Sequence, residues 1–118
     1  MSKLLFAVSH EWVRVEGSKA KIGLSDYGQK LMGDLVFIEL PKVGQKVECA
    51  KELCSVESIK AVSEIYSPVC GTVVAVNEDL EARPELINQS AYDAWICEIE
   101  FEKVSDELIS EEDYKKRT

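Results

Sequence analysis

One lysine stands out by its setting. Lys60 lies in Val56-Glu57-Ser58-Ile59-Lys60-Ala61-Val62-Ser63-Glu64-Ile65-Tyr66, among small and apolar residues and bracketed by Glu57 and Glu64. A lysine amine is a nucleophile toward activated carboxylates, and acylation removes its charge. On composition alone the bland reading of Lys60 is one exposed lysine among many, and that of the two glutamates is solvated strand charge. The other reactive groups are Cys49, Cys54, Cys70 and Cys97, with His10 the only histidine. No cysteine pair has CxxC spacing and His10 is far from all four in sequence, so a zinc site is thinly supported. The cysteines read as reduced thiols that pack as small hydrophobes. A thiol enzyme using Cys54, Cys70 or Cys97 as nucleophile would need His10 beside it, and nothing in the sequence brings it there.

The chain that must position Lys60 has 118 residues, 46% of them hydrophobic. That fits one domain, residues 1–118, able to bury roughly two thirds of its unfolded surface. The net charge of −8 argues against nucleic acid, whose phosphates need clustered Lys and Arg, and against anionic membranes. No apolar run approaches the roughly 20 residues of a membrane span. His10-Glu11 interrupts the short apolar run after Met1 before a signal-peptide core forms, so the expected location is cytoplasmic.

Met1 to Val8 reads as a first strand, and Trp12, Val13 and Val15 mark a second, ended by the turn signal Glu16-Gly17-Ser18. Lys19 to Leu24 alternates as its partner. Ser25 is a helix N-cap and Gly33 a C-cap, predicting a short helix over about 25–32. Asp34 to Leu40 is the strongest strand signal, ended by Pro41. Val43-Gly44-Gln45-Lys46-Val47 and Cys70-Gly71-Thr72-Val73-Val74 share an apolar-Gly-x-x-Val pattern; the second leads the strand Thr72 to Val76. Glu78 to Asn88 is acidic and broken by Pro84, with one helical turn at Pro84-Glu85-Leu86-Ile87. Trp95 to Phe101 closes the β part. From Ser105 the acidic chain is expected to be helical, a C-terminal extension over about 105–118, with Ser110 capping Glu111 onward and Asp113 at the capping-box position. Eight or so short strands with turn signals predict a sandwich or flattened barrel.

Leu53 to Tyr66 reads two ways. Val56, Ile59, Val62 and Tyr66 fall at helical spacing, yet the segment is rich in β-branched residues and poorly capped. A hairpin would have to bend at Ile59-Lys60, where no Gly, Asn, Asp or Pro supplies the usual turn chemistry.

A resemblance resolves this. Val56-Glu57-Ser58-Ile59-Lys60-Ala61, followed by Glu64-Ile65-Tyr66-Ser67-Pro68-Val69-Cys70-Gly71, resembles the lipoyl attachment motif of the glycine cleavage H-protein family. Ser9-His10-Glu11-Trp12-Val13, then Gly33 to Pro41 with Val43-Gly44, then Pro84 to Asn88, Trp95 and Glu111-Glu112-Asp113-Tyr114 resemble further blocks of that family in order. The resemblance implies a mainly β, lipoyl-like barrel-sandwich hybrid with a short early helix and a C-terminal helix, and Lys60 at an exposed hairpin tip. It implies lipoic acid joined as an amide to Lys60 by a lipoyl ligase or transferase, with Glu57, Ser58, Ala61 and Glu64 as flanking recognition residues. It implies a non-catalytic carrier, expected to be a monomer, that shuttles the aminomethyl group of glycine. Its partners would be a pyridoxal-phosphate glycine decarboxylase, a tetrahydrofolate-dependent aminomethyltransferase and a dihydrolipoyl dehydrogenase.

The sequence departs from the family pattern twice. Cys54 stands near a position where a glycine-like residue is usual, and Tyr92-Asp93-Ala94-Trp95 is a residue shorter than Tyr-Gly-Glu-Gly-Trp and lacks its glycines. Three rivals remain beside the resemblance. A biotinyl domain would show Met-Lys-Met, which is absent. An H-like protein that relays lipoyl groups would look the same in sequence. The thiol enzyme is the third. The acidic residues from Glu98 to Asp113 either steer docking to basic partners or serve solubility.

Overall fold

Strands β1 (Lys3–Phe6), β2 (Glu11–Glu16) and β3 (Lys19–Leu24) form an antiparallel meander. Val13, Ala20 and Ile22 turn into the main core, while Trp12 is buried on the opposite face with Phe6 and Tyr114. Gly17 closes the second hairpin at φ +61°, a conformation in which a side chain would be strained. The computed structural model describes residues 3–118; Met1 and Ser2 of the expected first strand lie outside it. Ser25 then caps helix α1 (Asp26–Met32), its Oγ accepting from Gly28 N at 3.0 Å, and Gly33 ends the helix at φ +85°.

The chain continues through β4 (Leu35–Glu39), β5 (Lys46–Val47), β6 (Glu52–Ser58), β7 (Val62–Tyr66) and β8 (Val69–Val76). Two helical turns, α2 (Asp79–Ala82) and α3 (Leu86–Gln89), lead to β9 (Cys97–Val104), β10 (Ile109–Ser110) and helix α4 (Glu111–Lys115). Ten strands among the described residues form two sheets. One has seven strands in the order β10-β1-β2-β3-β9-β8-β5, and the other has three in the order β4-β6-β7. Val13, Ala20, Ile22, Val73 and Ile99 from the first meet Leu35, Ile38, Val56 and Ile65 from the second in one core. The fold is mainly β, a flattened barrel-sandwich with a short early helix and a C-terminal helix.

The segment 53–66, ambiguous by periodicity, is the hairpin that the resemblance implies. Several other local expectations are corrected. The two apolar-Gly-x-x-Val stretches are paired strands, Lys46 opposite Thr72 and Val47 opposite Gly71. The acidic run after Glu78 holds a helical turn of its own around buried Leu80. The strand expected from Trp95 begins at Cys97 and runs on to Val104. Helix does not start at Ser105: Ile109 and Ser110 first pair with Phe6 and Leu5, and the helix is confined to Glu111–Lys115, where Ser110 Oγ accepts from Asp113 N. The cysteines are not all thiols. Cys49 and Cys70, with Cα atoms 4.9 Å apart, form a disulfide that ties the loop before β6 to β8. Cys54 and Cys97 are buried free thiols packed as expected.

Candidate functional site

The hairpin that carries Lys60 is built by β6 and β7, with Glu57 opposite Val62, Val56 opposite Ser63 and Ser55 opposite Glu64. Its turn works without glycine because Ser58 replaces backbone chemistry with a hydroxyl. Ser58 N donates to Ala61 O at 2.8 Å, closing the two-residue loop. The returning bond does not reach the Ser58 carbonyl. Instead Ala61 N and Lys60 N both donate to Ser58 Oγ, at 3.1 and 3.2 Å. With its amides satisfied by a side chain, the loop needs no left-handed residue, and neither Ile59 nor Lys60 has a positive φ. Ile59 N donates to Asp34 O at 3.0 Å, fastening the tip to the start of β4.

Lys60 is exposed and enters no ion pair among the described residues. Its stem crosses the end of α1: a Cβ on Gly33 would stand 2.9 Å from Lys60 Cε. Glycine there serves both the +85° φ and the passage of the lysine. Asn88 holds this corner in place. Its Nδ2 donates to Gln29 Oε1 and Gly33 O, at 2.7 and 3.0 Å, while its Oδ1 accepts from Leu35 N at 2.9 Å. Beside Lys60 opens a cleft of about 450 Å³ between α1 and the free edge of β7, walled by Leu31, Met32, Val62 and Ile65 with His10 and Glu64 on its lining.

The residues before β2 join this cleft to the C-terminal helix. His10 adopts φ +77°. Its Nδ1 lies 2.7 Å from the Tyr114 hydroxyl, which is also 2.7 Å from Ser25 Oγ, the cap of α1. Burial lowers the His10 pKa from its ordinary 6.5 and raises that of Tyr114. The Tyr114 hydroxyl thus bridges the His10 ring and the Ser25 hydroxyl. Next to it, Glu11 is a buried carboxylate, accepting from Ser9 Oγ and from Tyr66 N at 3.1 Å. Desolvation raises its pKa, and these two hydrogen bonds oppose the shift.

Of the residues singled out in the sequence, Lys60, Ala61 and Glu64 share the cleft, and Glu64 accepts from the Tyr66 hydroxyl at 2.8 Å. Ser58 lies beneath the turn, 6% exposed. Glu57 is not brought to the cleft; it projects from the outer face of the small sheet, across from Phe37 and Val62. Sequence reasoning missed the parts played by Asn88 and Gly33 around Lys60. Gly33 was legible only as a helix stop, because its contact with Lys60 spans 27 positions of chain.

The glycine cleavage H-protein family model matches residues 4–118. The chain belongs to the glycine cleavage H-protein family. It is 48% identical over 117 residues to the glycine cleavage system H protein of Halalkalibacterium halodurans, covering 97% of this chain and 91% of that one. It is 46% identical over 118 residues to that of Bacillus subtilis, covering 98% and 93%. Among solved structures, a glycine cleavage system H protein from Mycobacterium marinum superposes with a TM-score of 0.91 at 27% identity, covering 98% of this chain and 95% of that one. The two departures from the family pattern are accommodated locally. Cys54 packs in the core, burial pushing its thiol up to about 12. The short loop before Trp95 is held by Trp12 Nε1 donating to Ala91 O at 3.0 Å and Arg14 to Tyr92 O at 3.1 Å. Among the described residues no cluster of His, Cys, Asp and Glu is placed to hold a metal, and His10 pairs with Tyr114 rather than with a cysteine.

Proposed function

We propose that Lys60 is the attachment point of a lipoyl group, joined as an amide by a lipoyl ligase or transferase. On that arm the chain carries the aminomethyl group of glycine between a pyridoxal-phosphate glycine decarboxylase, a tetrahydrofolate-dependent aminomethyltransferase and a dihydrolipoyl dehydrogenase. The observation that supports this best is the pose of Lys60, an unpaired amine at the tip of a pinned hairpin beside an apolar cleft, in a chain of the H-protein family. The residues present fit the group. The amine is open to a modifying enzyme, the turn needs no conformational change to present it, and the cleft offers apolar walls beside its base. When bound, the lipoyl group supplies a disulfide that takes up the aminomethyl carbon and a dithiol to be reoxidised.

The chain's own contribution is mechanical. Ser58 fixes the tip, and Asn88 and Gly33 fix the corner beneath it. Tethering a mobile arm to a fixed base turns each delivery into a local event at high effective concentration. Glu57, Ala61 and Glu64 are the exposed residues beside Lys60 that a modifying enzyme reads, and buried Ser58 acts through the shape of the turn. The chain acts as a monomeric carrier in the cytoplasm and performs no catalysis alone. No helix of the structure is long and apolar enough to cross a membrane.

Reconstitution tests the reading. Lipoylated protein, the three enzymes and glycine should reduce NAD with tetrahydrofolate present, and a Lys60→Ala variant should not. Turnover surviving in that variant overturns the proposal.

A further inference from the structure

The outer face of the three-stranded sheet departs from the alternation expected of a half-buried strand. In β4 the pattern runs Leu35 in, Val36 out, Phe37 out, Ile38 in. The cause is a bulge: Leu35 pairs with Ser58 and Phe37 with Glu57, so two steps along β4 match one along β6 and Val36 is the extra residue. Two consecutive large apolar side chains are thereby turned to solvent, Val36 at 52% and Phe37 at 53% exposure. Across the sheet from Phe37 stand Glu57 and then Val62, and Ile59 follows at the turn, these last two apolar residues at 66% and 68% exposure. Ile59 and Val62 therefore flank the Lys60 turn, and Phe37 and Val36 continue the same apolar face onto the adjoining strand. Behind them the outward rows carry Glu39 and Glu64, then Glu52 with Tyr66. The outward positions of these strands hold four glutamates and no lysine or arginine.

An apolar cluster of this kind on a small protein marks an interaction surface, and the acidic rows behind it select a partner with a basic rim. The position of the cluster selects which partner. Before an arm is attached, the Lys60 amine itself must enter the acyl donor's site, and a lysine side chain is short, so surfaces around its base must come into contact. Once the arm is attached, later partners meet its far end and need not touch the tip. We infer that Val36, Phe37, Ile59 and Val62 are the docking face for the enzyme that acylates Lys60. The matching surface is an apolar hollow edged by Lys or Arg. Bulged Phe37 is the anchor, since a half-exposed aromatic side chain loses most water and little entropy on docking. This inference rests on Lys60 being the attachment point, and adds the neighbouring strand to the recognition residues on the hairpin.

The test follows the mass increase of unmodified protein incubated with a lipoyl ligase, lipoate and ATP. It compares the wild-type chain, Phe37→Ser, Val36→Ser and the control Val43→Ser, which removes a more exposed valine beyond the far end of β4. Thermal melts confirm that all four fold. For Phe37→Ser the kcat/KM of acylation should fall about tenfold or more, chiefly through KM. Val36→Ser should fall less, and Val43→Ser should match wild type. Phe37→Ser protein driven to full modification with excess ligase should then be turned over by dihydrolipoyl dehydrogenase at the wild-type rate. Equal acylation of Phe37→Ser and wild type overturns the inference, as does an equal loss in Val43→Ser. So does sedimentation showing that the wild-type chain dimerises and Phe37→Ser does not. A wild-type chain that takes up no lipoate at Lys60 overturns the attachment reading, and this inference with it.

Discussion

Replacing Ser58 by alanine isolates the device that lets this hairpin turn without glycine. The hydroxyl accepts from Lys60 N and Ala61 N at 3.2 and 3.1 Å and reaches Ala61 O at 3.2 Å. Each such bond contributes about 0.5–1.5 kcal/mol net. Lys60 and Ala61 are exposed, so water replaces part of what is lost and the low end applies. The Ser58 N to Ala61 O bond survives, being backbone to backbone. The expected cost of Ser58→Ala is therefore about 1–2 kcal/mol, a fall of about 4–8 °C in Tm for a chain of this size. Ser58→Thr keeps the hydroxyl and should recover most of it. The local assay is amide hydrogen exchange. In the alanine variant the Lys60 and Ala61 amides should lose protection, while Val13 and Ile22 in the distant meander change only with global stability. Wild-type melting together with unchanged protection at those two amides would refute the reasoning, and would mean that the backbone alone holds the turn.

The remaining predictions concern the parts that support the site. His10→Asn, chosen because Asn tolerates the left-handed backbone at +77°, should remove an acid sensitivity. His10 is held below its ordinary 6.5, so the unfolded chain binds the extra proton. Wild-type stability is then full above about pH 6.5 and falls relative to the variant as pH drops below it, until the folded pKa is passed, as read by urea melts across pH. Tyr114→Phe loses contacts to His10 and Ser25 and should cost about 1–2 kcal/mol in the same melts. The Cys49–Cys70 disulfide spans 21 positions, so Cys49→Ser should cost about 3 kcal/mol in non-reducing buffer and nothing once reductant is present. Under reductant, thiol reagents at pH 8 should label those two cysteines and spare Cys54 and Cys97, whose thiols burial pushes up. A Cβ on Gly71 would press on the Glu100 carbonyl oxygen and stand 2.7 Å from Phe101 Cα. Gly71→Ala should therefore cost about 3 kcal/mol or more on thermal melting, because backbone cannot yield as a side chain does.

How much could be read in the sequence depended on how local the cause was. Ser25 and Ser110 were recognisable as caps because each bonds an amide three residues on. The meander was recognisable because β1, β2 and β3 pair with their neighbours in sequence. The 56–66 hairpin was ambiguous to periodicity because its turn rests on one hydroxyl, a signal that turn propensities do not weigh; family resemblance supplied it instead. The stretch from Ser105 to Ile109 looked helical because its acidic neighbours set the local propensity, yet pairing of Ile109 with β1 about a hundred residues away decided otherwise. The pairing of Cys49 with Cys70 depends on β5 meeting β8, and spacing alone does not reveal that. At the site, Lys60 and its bracketing glutamates were legible, whereas the corner of Gly33 and Asn88 and the bulge at Val36-Phe37 exist only once β4, β6 and α3 are assembled.

The carrier role of this chain turns on the chemical state of one amine. The most direct measurement is intact mass and peptide mapping of the chain purified from cells grown with lipoate. One lipoyl amide per chain is expected, confined to the peptide that contains Lys60 and abolished by Lys60→Arg. An unmodified Lys60, in cells that lipoylate their other carrier proteins, would contradict it.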